Sequence, residues 1–182
     1  MSTTETRTIA LPGTWSLDPV HSIVGFQVAY LAGTFKGTFR DVTATLSIAE
    51  DGKATLEGVA NVTSIDVKDE DQNAHLQSPE FFDAESFPQL LFKAEDVRLD
   101  GEQATINGEI TIKGVTQAVS LTGAVVPPID DPWGNKRLGV TLTATVDRTE
   151  FGLNWNNPLP SGDPMLANDV TIVAELQFVK AV

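Results

Sequence analysis

Val140-Thr141-Leu142-Thr143-Ala144-Thr145-Val146-Asp147 decides the fold. Apolar residues hold every second position, and Thr or Asp fills the gaps. Successive side chains of an extended chain point to opposite faces, so this stretch has one apolar face and one solvated face. A helix would space its apolar residues three or four apart. The same alternation continues outward along the chain. Towards the C-terminus come Val170, Ile172, Ala174, Leu176 and Phe178; towards the N-terminus come Val119, Leu121, Gly123 and Val125. Before these lie Ile106, Gly108, Ile110 and Ile112, then Leu90, Phe92 and Ala94, then Leu56, Gly58, Ala60 and Val62. Val42 to Ile48, Phe35-Gly37-Phe39 and Val24-Phe26-Val28-Tyr30 complete the series. Asp51-Gly52, Asp100-Gly101, Lys113-Gly114 and Pro127-Pro128 read as turns between the runs. Short, evenly spaced antiparallel strands predict an all-β, antiparallel up-and-down barrel, which leaves no exposed edge. Gly37, Gly58, Gly108 and Gly123 on the inward faces either let the strands curve or leave interior space.

One segment breaks the pattern. Residues 67–88 hold no strand signal, and a short helical insert is expected near 67–82. Asp69-Glu70-Asp71-Gln72 resembles a helix start, and Ser78-Pro79-Glu80 resembles a second one with Ser as N-cap. Phe81, Phe82 and Phe87 then require burial, which a helix lying across one barrel mouth would supply. Residues 127–137 and 154–168 form two further irregular stretches, long enough to suggest function.

The chain has 182 residues, one domain by size, with a flexible tail over 1–12 and the barrel over 13–182. Its net charge is −13, which disfavours nucleic acid and anionic membrane surfaces as partners. Cysteine is absent, so disulfides, thiolate metal sites and a Cys nucleophile are excluded. Residues 1–10 lack the apolar core of a signal peptide, and no run approaches a membrane span. A cytoplasmic location without stable membrane insertion is the expectation.

The chemistry-bearing residues are few. His21 follows Asp18 by three and His75 follows Asp71 by four, so a helix would place Asp71 and His75 on one face. Each histidine has three readings: a loop-fixing hydrogen bond, contact with a ligand headgroup, or catalysis. Two histidines without a third fixed ligand make a poor zinc site. No nucleophile elbow, phosphate loop or His-Glu-x-x-His occurs, so neither a catalytic residue, a metal nor a cofactor is assigned. Arg148 pairs with Asp147 or another carboxylate, or faces a ligand phosphate. Phe26, Val28, Tyr30, Phe35, Phe39, Phe92, Ile110, Leu142, Phe151 and Trp155 are the candidate lining of an apolar cavity.

Five stretches carry a family resemblance, in order. They are Trp15-Ser16-Leu17-Asp18-Pro19-Val20-His21-Ser22; His75-Leu76-Gln77-Ser78-Pro79-Glu80-Phe81-Phe82-Asp83; Gly108-Glu109-Ile110-Thr111-Ile112-Lys113-Gly114-Val115-Thr116; Asp147-Arg148-Thr149-Glu150-Phe151-Gly152-Leu153; and the last strand from Asp169. Over roughly residues 13–180 the chain resembles the YceI family, lipocalin-like barrels that hold long isoprenoid lipids. Some relatives of that family are exported. The resemblance implies a non-enzymatic protein that binds, and in one reading carries or stores, a long-chain polyisoprenoid such as a polyprenyl phosphate or an isoprenoid quinone. His21, His75 and Arg148 are the headgroup candidates, and a homodimer is left open. A tail of ~40 carbons would gain ~30 kcal/mol gross, more than the ~20 kcal/mol at which affinities saturate, so ordering the tail must cancel much of it. Two alternatives stand beside this reading: an enzyme on a small apolar substrate using His21 or His75, and a filled barrel serving as a stress-response or interaction module.

Overall fold

A computed structural model describes residues 11–181. The proposed tail over 1–12 falls mostly outside them; Leu11 and Pro12 are described, and the Leu11 carbonyl accepts a 3.0 Å hydrogen bond from Trp15 Nε1. Among the described residues eleven strands form one antiparallel sheet: β1 (Gly13–Leu17), β2 (Ile23–Tyr30), β3 (Gly33–Phe39), β4 (Val42–Ile48), β5 (Ala54–Asn61), β6 (Ile65–Asp66), β7 (Gln89–Asp100), β8 (Gln103–Ile112), β9 (Val115–Asp130), β10 (Lys136–Asp147) and β11 (Leu166–Lys180). β1 and β2 both pair with the same edge of β11, through Phe178 to Lys180 and Leu166 to Glu175 respectively. They form one interrupted strand. β3 and β4 form a second, and β5 and β6 a third, because β2 pairs with β3, β1 with β4, β4 with β5 and β3 with β6. The wall is therefore a closed ring of eight strands in up-and-down order, and the β1–β11 and β2–β11 ladders close it.

Trp15 alternates only with Leu17, which is why the short β1 is hard to see in sequence. The break after it, residues 18–22, keeps its polar groups paired with β11: Asp18 N–H donates to the Gln177 carbonyl, and Ser22 Oγ accepts from Gln177 N–H. Pro127-Pro128 is a turn neither in position nor in shape. The two prolines lie inside β9, between Val126 opposite Gly139 and Ile129 opposite Arg137, where the register shifts. β8 has already ended as a partner at Gln103 opposite Ala124, so their missing N–H groups cost no ladder bond on that edge. The irregular stretch expected over 127–137 therefore shrinks to the turn between β9 and β10.

The helix appears as α1 (Glu70–Gln77), capped by Asp69, whose side chain accepts from Gln72 N–H at 3.0 Å. Ser78 is not an N-cap. Its hydroxyl and its N–H both donate to the His75 carbonyl, so it closes α1 instead. Residues 67–88 and 148–165, with the turns after Tyr30 and Ile112, share one end of the barrel. The opposite end holds the turns after Ile48, Asp100 and Asp130. The interior divides accordingly. At the far end Trp15, Leu46, Ile106, Leu138, Leu142 and Phe178 are at most 1 % exposed in one cluster. At the mouth a second cluster gathers Val28, Phe39, Ile65, Leu76, Phe81, Phe82 and Phe151.

Candidate functional site

Between the two clusters lies a cavity of about 280 Å³. Its wall comes from the inward side chains of β2, β3, β4, β5, β7, β8, β9, β10 and β11, and its roof from α1, Phe81, Phe82 and the segments on either side of Phe151. All ten apolar residues picked out by alternation line it: Phe26, Val28, Tyr30, Phe35, Phe39, Phe92, Ile110, Leu142, Phe151 and Trp155. Sequence reasoning left out Leu76, Leu166 and Gln72. Leu76 is the one buried apolar side chain of α1, a signal that eight residues are too few to show as periodicity.

The roof is aromatic. Phe82 reaches inward to Phe26 and Phe39, with ring centroids 6.3 Å and 5.9 Å away. Phe81 packs on Trp155 at 5.4 Å and edge-on to His75 at 4.9 Å. Phe87 differs from the other two: it is 36 % exposed and packs at the Gly114 turn, where a Cβ would come 2.6 Å from its ring. Gly114 lies at φ +76°, so the turn requires glycine on both counts.

The polar side chains that line the cavity sit in the mouth half. They are Gln72, His75 and Arg148, with Tyr30, at the end of β2, also in the lining. His75 Nε2 meets Glu80 Oε2 at 2.5 Å, and its ring stands edge-on to Trp155 at 5.0 Å. Glu80, not Asp71, is its carboxylate partner, because the turn after Ser78 folds Glu80 back over the last turn of α1. Arg148 is 6 % exposed, and its guanidinium is already engaged. Nε donates to Ala167 O at 2.8 Å, Nη1 to Leu153 O at 2.6 Å and to Trp155 O at 2.8 Å, and Nη2 to Leu166 O at 3.4 Å. Burial lowers its pKa from the ordinary arginine value, and the nearby Asp147 charge partly offsets that. Asp147 makes no salt bridge to it among the described residues. Its carboxylate instead accepts from the Thr149 N–H and hydroxyl, which lowers its own pKa. Arg148 thus ties the 148–167 connection to the barrel rim and leaves at most one N–H for a ligand.

His21 is not at the cavity. It lies in the break between β1 and β2, 57 % exposed, with Nδ1 2.7 Å from Asp18 Oδ2. Asp18 also accepts from Arg137 Nη1 at 2.7 Å, and Arg137 Nε donates to Asp131 Oδ2 at 2.8 Å. Hydrogen bonds from Arg137 and then His21 bring Asp18 down to about 2. For Asp131 burial pushes upward, and Arg137 with the Asn135 and Trp133 N–H groups outweighs it, leaving about 2. This network fastens the turn after β9 to the barrel wall.

The inward glycines differ in kind. A Cβ on Gly58 would find nothing nearer than 3.6 Å, so Gly58 leaves room in the cavity. Gly37 is covered by the Phe26 ring. On Gly108 a Cβ would lie 2.5 Å from the Lys93 carbonyl, and on Gly123 it would strike the Thr141 carbonyl. Those two glycines permit close approach of neighbouring strands and open no space.

A family model described as a YceI-like domain matches residues 15–178. Protein YceI of Escherichia coli O157:H7 is 31 % identical over 136 residues, 73 % of this chain and 71 % of that protein. Among solved structures, BcnA of Burkholderia cenocepacia superposes with a TM-score of 0.73 at 19 % identity, covering 88 % of this chain and 98 % of that one. A polyisoprenoid binding domain from Saccharophagus degradans gives a TM-score of 0.68 at 13 % identity, over 92 % and 98 % of the two chains. At those identities the two structures speak for the barrel alone, whereas the family model spans nearly the whole wall, from Trp15 in β1 to Phe178 in β11: the chain belongs to the YceI family.

Proposed function

We propose that the protein is a binding protein, not an enzyme, and that it holds the tail of an isoprenoid lipid in the barrel cavity with the headgroup at the mouth. One observation carries this reading: among the described residues, the lining is apolar except at Gln72, His75, Arg148 and Tyr30, all at the roofed end. Such a cavity rewards a ligand with a long hydrocarbon part and a small polar end, at ~0.8 kcal/mol per buried carbon before the cost of ordering the chain. The family relation and the polyisoprenoid-binding structural neighbour support an isoprenoid rather than a straight acyl chain. The branched, unsaturated tail also suits a wall of Phe, Ile, Leu and Val.

The headgroup reading narrows to His75 and Gln72, since Arg148 gives four of its five N–H groups to backbone carbonyls and His21 lies elsewhere. Glu80 beside His75 disfavours a doubly charged phosphate and favours a neutral hydroxyl or carbonyl. Native mass spectrometry of freshly purified protein tests the proposal. An added mass matching a prenyl lipid is the expected result. A bare polypeptide that also takes up no prenyl alcohol or quinone on incubation would overturn it. A carrier, as opposed to a store, should pass its lipid from donor to acceptor vesicles faster than the lipid moves alone.

A further inference from the structure

We infer that the cavity measures its ligand, admitting only about three to four isoprene units; this rests on the isoprenoid reading above and concerns how much of the tail is sheltered. The lining ends at one level on every strand. Its deepest members include Ala44, Leu56, Leu121, Leu142 and Leu176. The next inward residues, such as Leu46, Ala54, Val140 and Phe178, belong to the sealed cluster. Trp15 lies among them at 0 % exposure, and no part of that cluster below the floor takes part in the cavity. The lower half of the barrel is solid.

Depth follows from the strand that spans the open half. β2 contributes lining from Val24 to Tyr30 at the rim. At a rise of ~3.3 Å per residue that is ~20 Å along the strand, and a tilt of ~40° leaves ~15 Å along the barrel axis. An isoprene unit adds four skeletal bonds of ~1.5 Å, which zigzag to ~5 Å. An extended tail therefore meets the floor after three or four units. The volume agrees: 280 Å³ falls at the lower edge of the ~300–1,000 Å³ common for ligand pockets. Units beyond the fourth would emerge past Phe82 and Trp155 into water, where they bury nothing.

The experiment is a length series of all-trans prenyl alcohols with two, three, four and eight units, titrated against the intact protein with Trp fluorescence and native mass spectrometry. Up to the fourth unit each addition should tighten binding by at least about tenfold, since five more carbons leave water. From four to eight units the gain should be under about threefold, because the added carbons stay outside. An eight-unit alcohol that binds more than tenfold tighter than the four-unit one would overturn the inference and leave the isoprenoid reading standing. No binding at any length would remove the isoprenoid reading itself. Leu121→Ala should lower the floor and move the plateau to longer tails. Gly58→Leu fills the cavity without touching the floor, and it should move the plateau to shorter ones. If both variants leave the plateau unmoved, the floor does not set the length.

Discussion

The two halves of this barrel are made from the same alternating strands and behave as different materials. Along β4, Leu46 and Ile48 are sealed at 1 % and 5 % exposure, while Ala44 and Val42, two and four residues before Leu46, face open space. Along β10, Val140 is packed and Leu142 is the floor. What differs is the company each residue keeps. The lower half receives Trp15 from β1 and Phe178 from β11, whose large side chains fill the barrel axis. The upper half has Gly58 and Ala60 facing inward and draws its closure from outside the wall, through Leu76, Phe81 and Phe82. A barrel of this strand number can be filled or hollow, and this one is each in turn. Stability and binding are thereby assigned to separate ends.

The sharpest way to break that division is to delete one large side chain from each half. Trp15→Ala should cost about 3–5 kcal/mol, since a side chain packed on all sides leaves a void that cannot collapse. Phe92→Ala should cost no more than about 2 kcal/mol, because Phe92 already borders empty space on one side and makes fewer contacts there. Urea denaturation of both variants measures the difference; equal losses would mean that the upper half is packed as tightly as the lower.

Arg148 comes next in size. Arg148→Met keeps most of the apolar stem but takes the guanidinium donors from the carbonyls of Leu153, Trp155 and Ala167, while the Leu166 carbonyl keeps its hydrogen bond from Asn156 Nδ2. A loss of about 2–3 kcal/mol is expected, near that of removing a charged hydrogen-bond donor from buried acceptors. Binding of a prenyl phosphate and of the matching alcohol should weaken to the same degree, as the roof loosens for both. A selective loss of the phosphate would return Arg148 to the role of headgroup partner.

The wall of the barrel was legible because alternation is a local property: Val140 to Asp147 announces a two-faced strand whatever surrounds it. The identity of the lining residues was legible for the same reason, since Phe26, Val28 and Tyr30 can only point inward together. The floor was not legible. Leu46 and Ala44 stand in the same phase of the same strand, and only the arrival of Trp15 from another strand separates packed from open. The role of Arg148 was hidden because its acceptors are main-chain atoms, which carry no sequence signature. Pro127-Pro128 misled because a proline pair marks a turn in most settings, and its tolerance inside β9 depends on β8 having ended. Asp131 likewise gave no sign that it would meet Arg137 across a turn.

The glycines sharpen the comparison at smaller cost. Gly108→Leu would drive its side chain against the Lys93 carbonyl and the Ala94 Cβ, at 2.5 Å and 2.7 Å from the new Cβ, so about 1–3 kcal/mol should be lost. Gly58→Leu meets only ordinary contacts and should change stability by no more than about 0.5–1 kcal/mol while reducing uptake of the longer tails. Thermal melts beside uptake assays distinguish the two. If Gly58→Leu proves the more destabilising, the room beside Gly58 is already filled.

The smallest effect lies outside the barrel, at the network of Asp18, Arg137 and Asp131. Both carboxylates are held near 2, against ~3.9 in an unfolded chain. Between pH ~4 and ~2 the unfolded state therefore binds protons that the folded state refuses. Their contribution is complete above pH ~4 and is lost as pH falls through 2; raising the pH further adds nothing. Urea midpoints followed from pH 5 to pH 2 should fall most steeply in that window. In the double variant Asp18→Asn, Asp131→Asn the fall should be shallower, since two of the protons no longer differ between the states. The neutral side chains keep the shape of the contact with Arg137, so the variant isolates charge from packing. Lipid uptake should not change in this variant at pH 7, because none of Asp18, Asp131, Arg137 and His21 touches the cavity. If uptake changed along with the acid slope, the two ends of the barrel would be energetically coupled and their division of labour would fail.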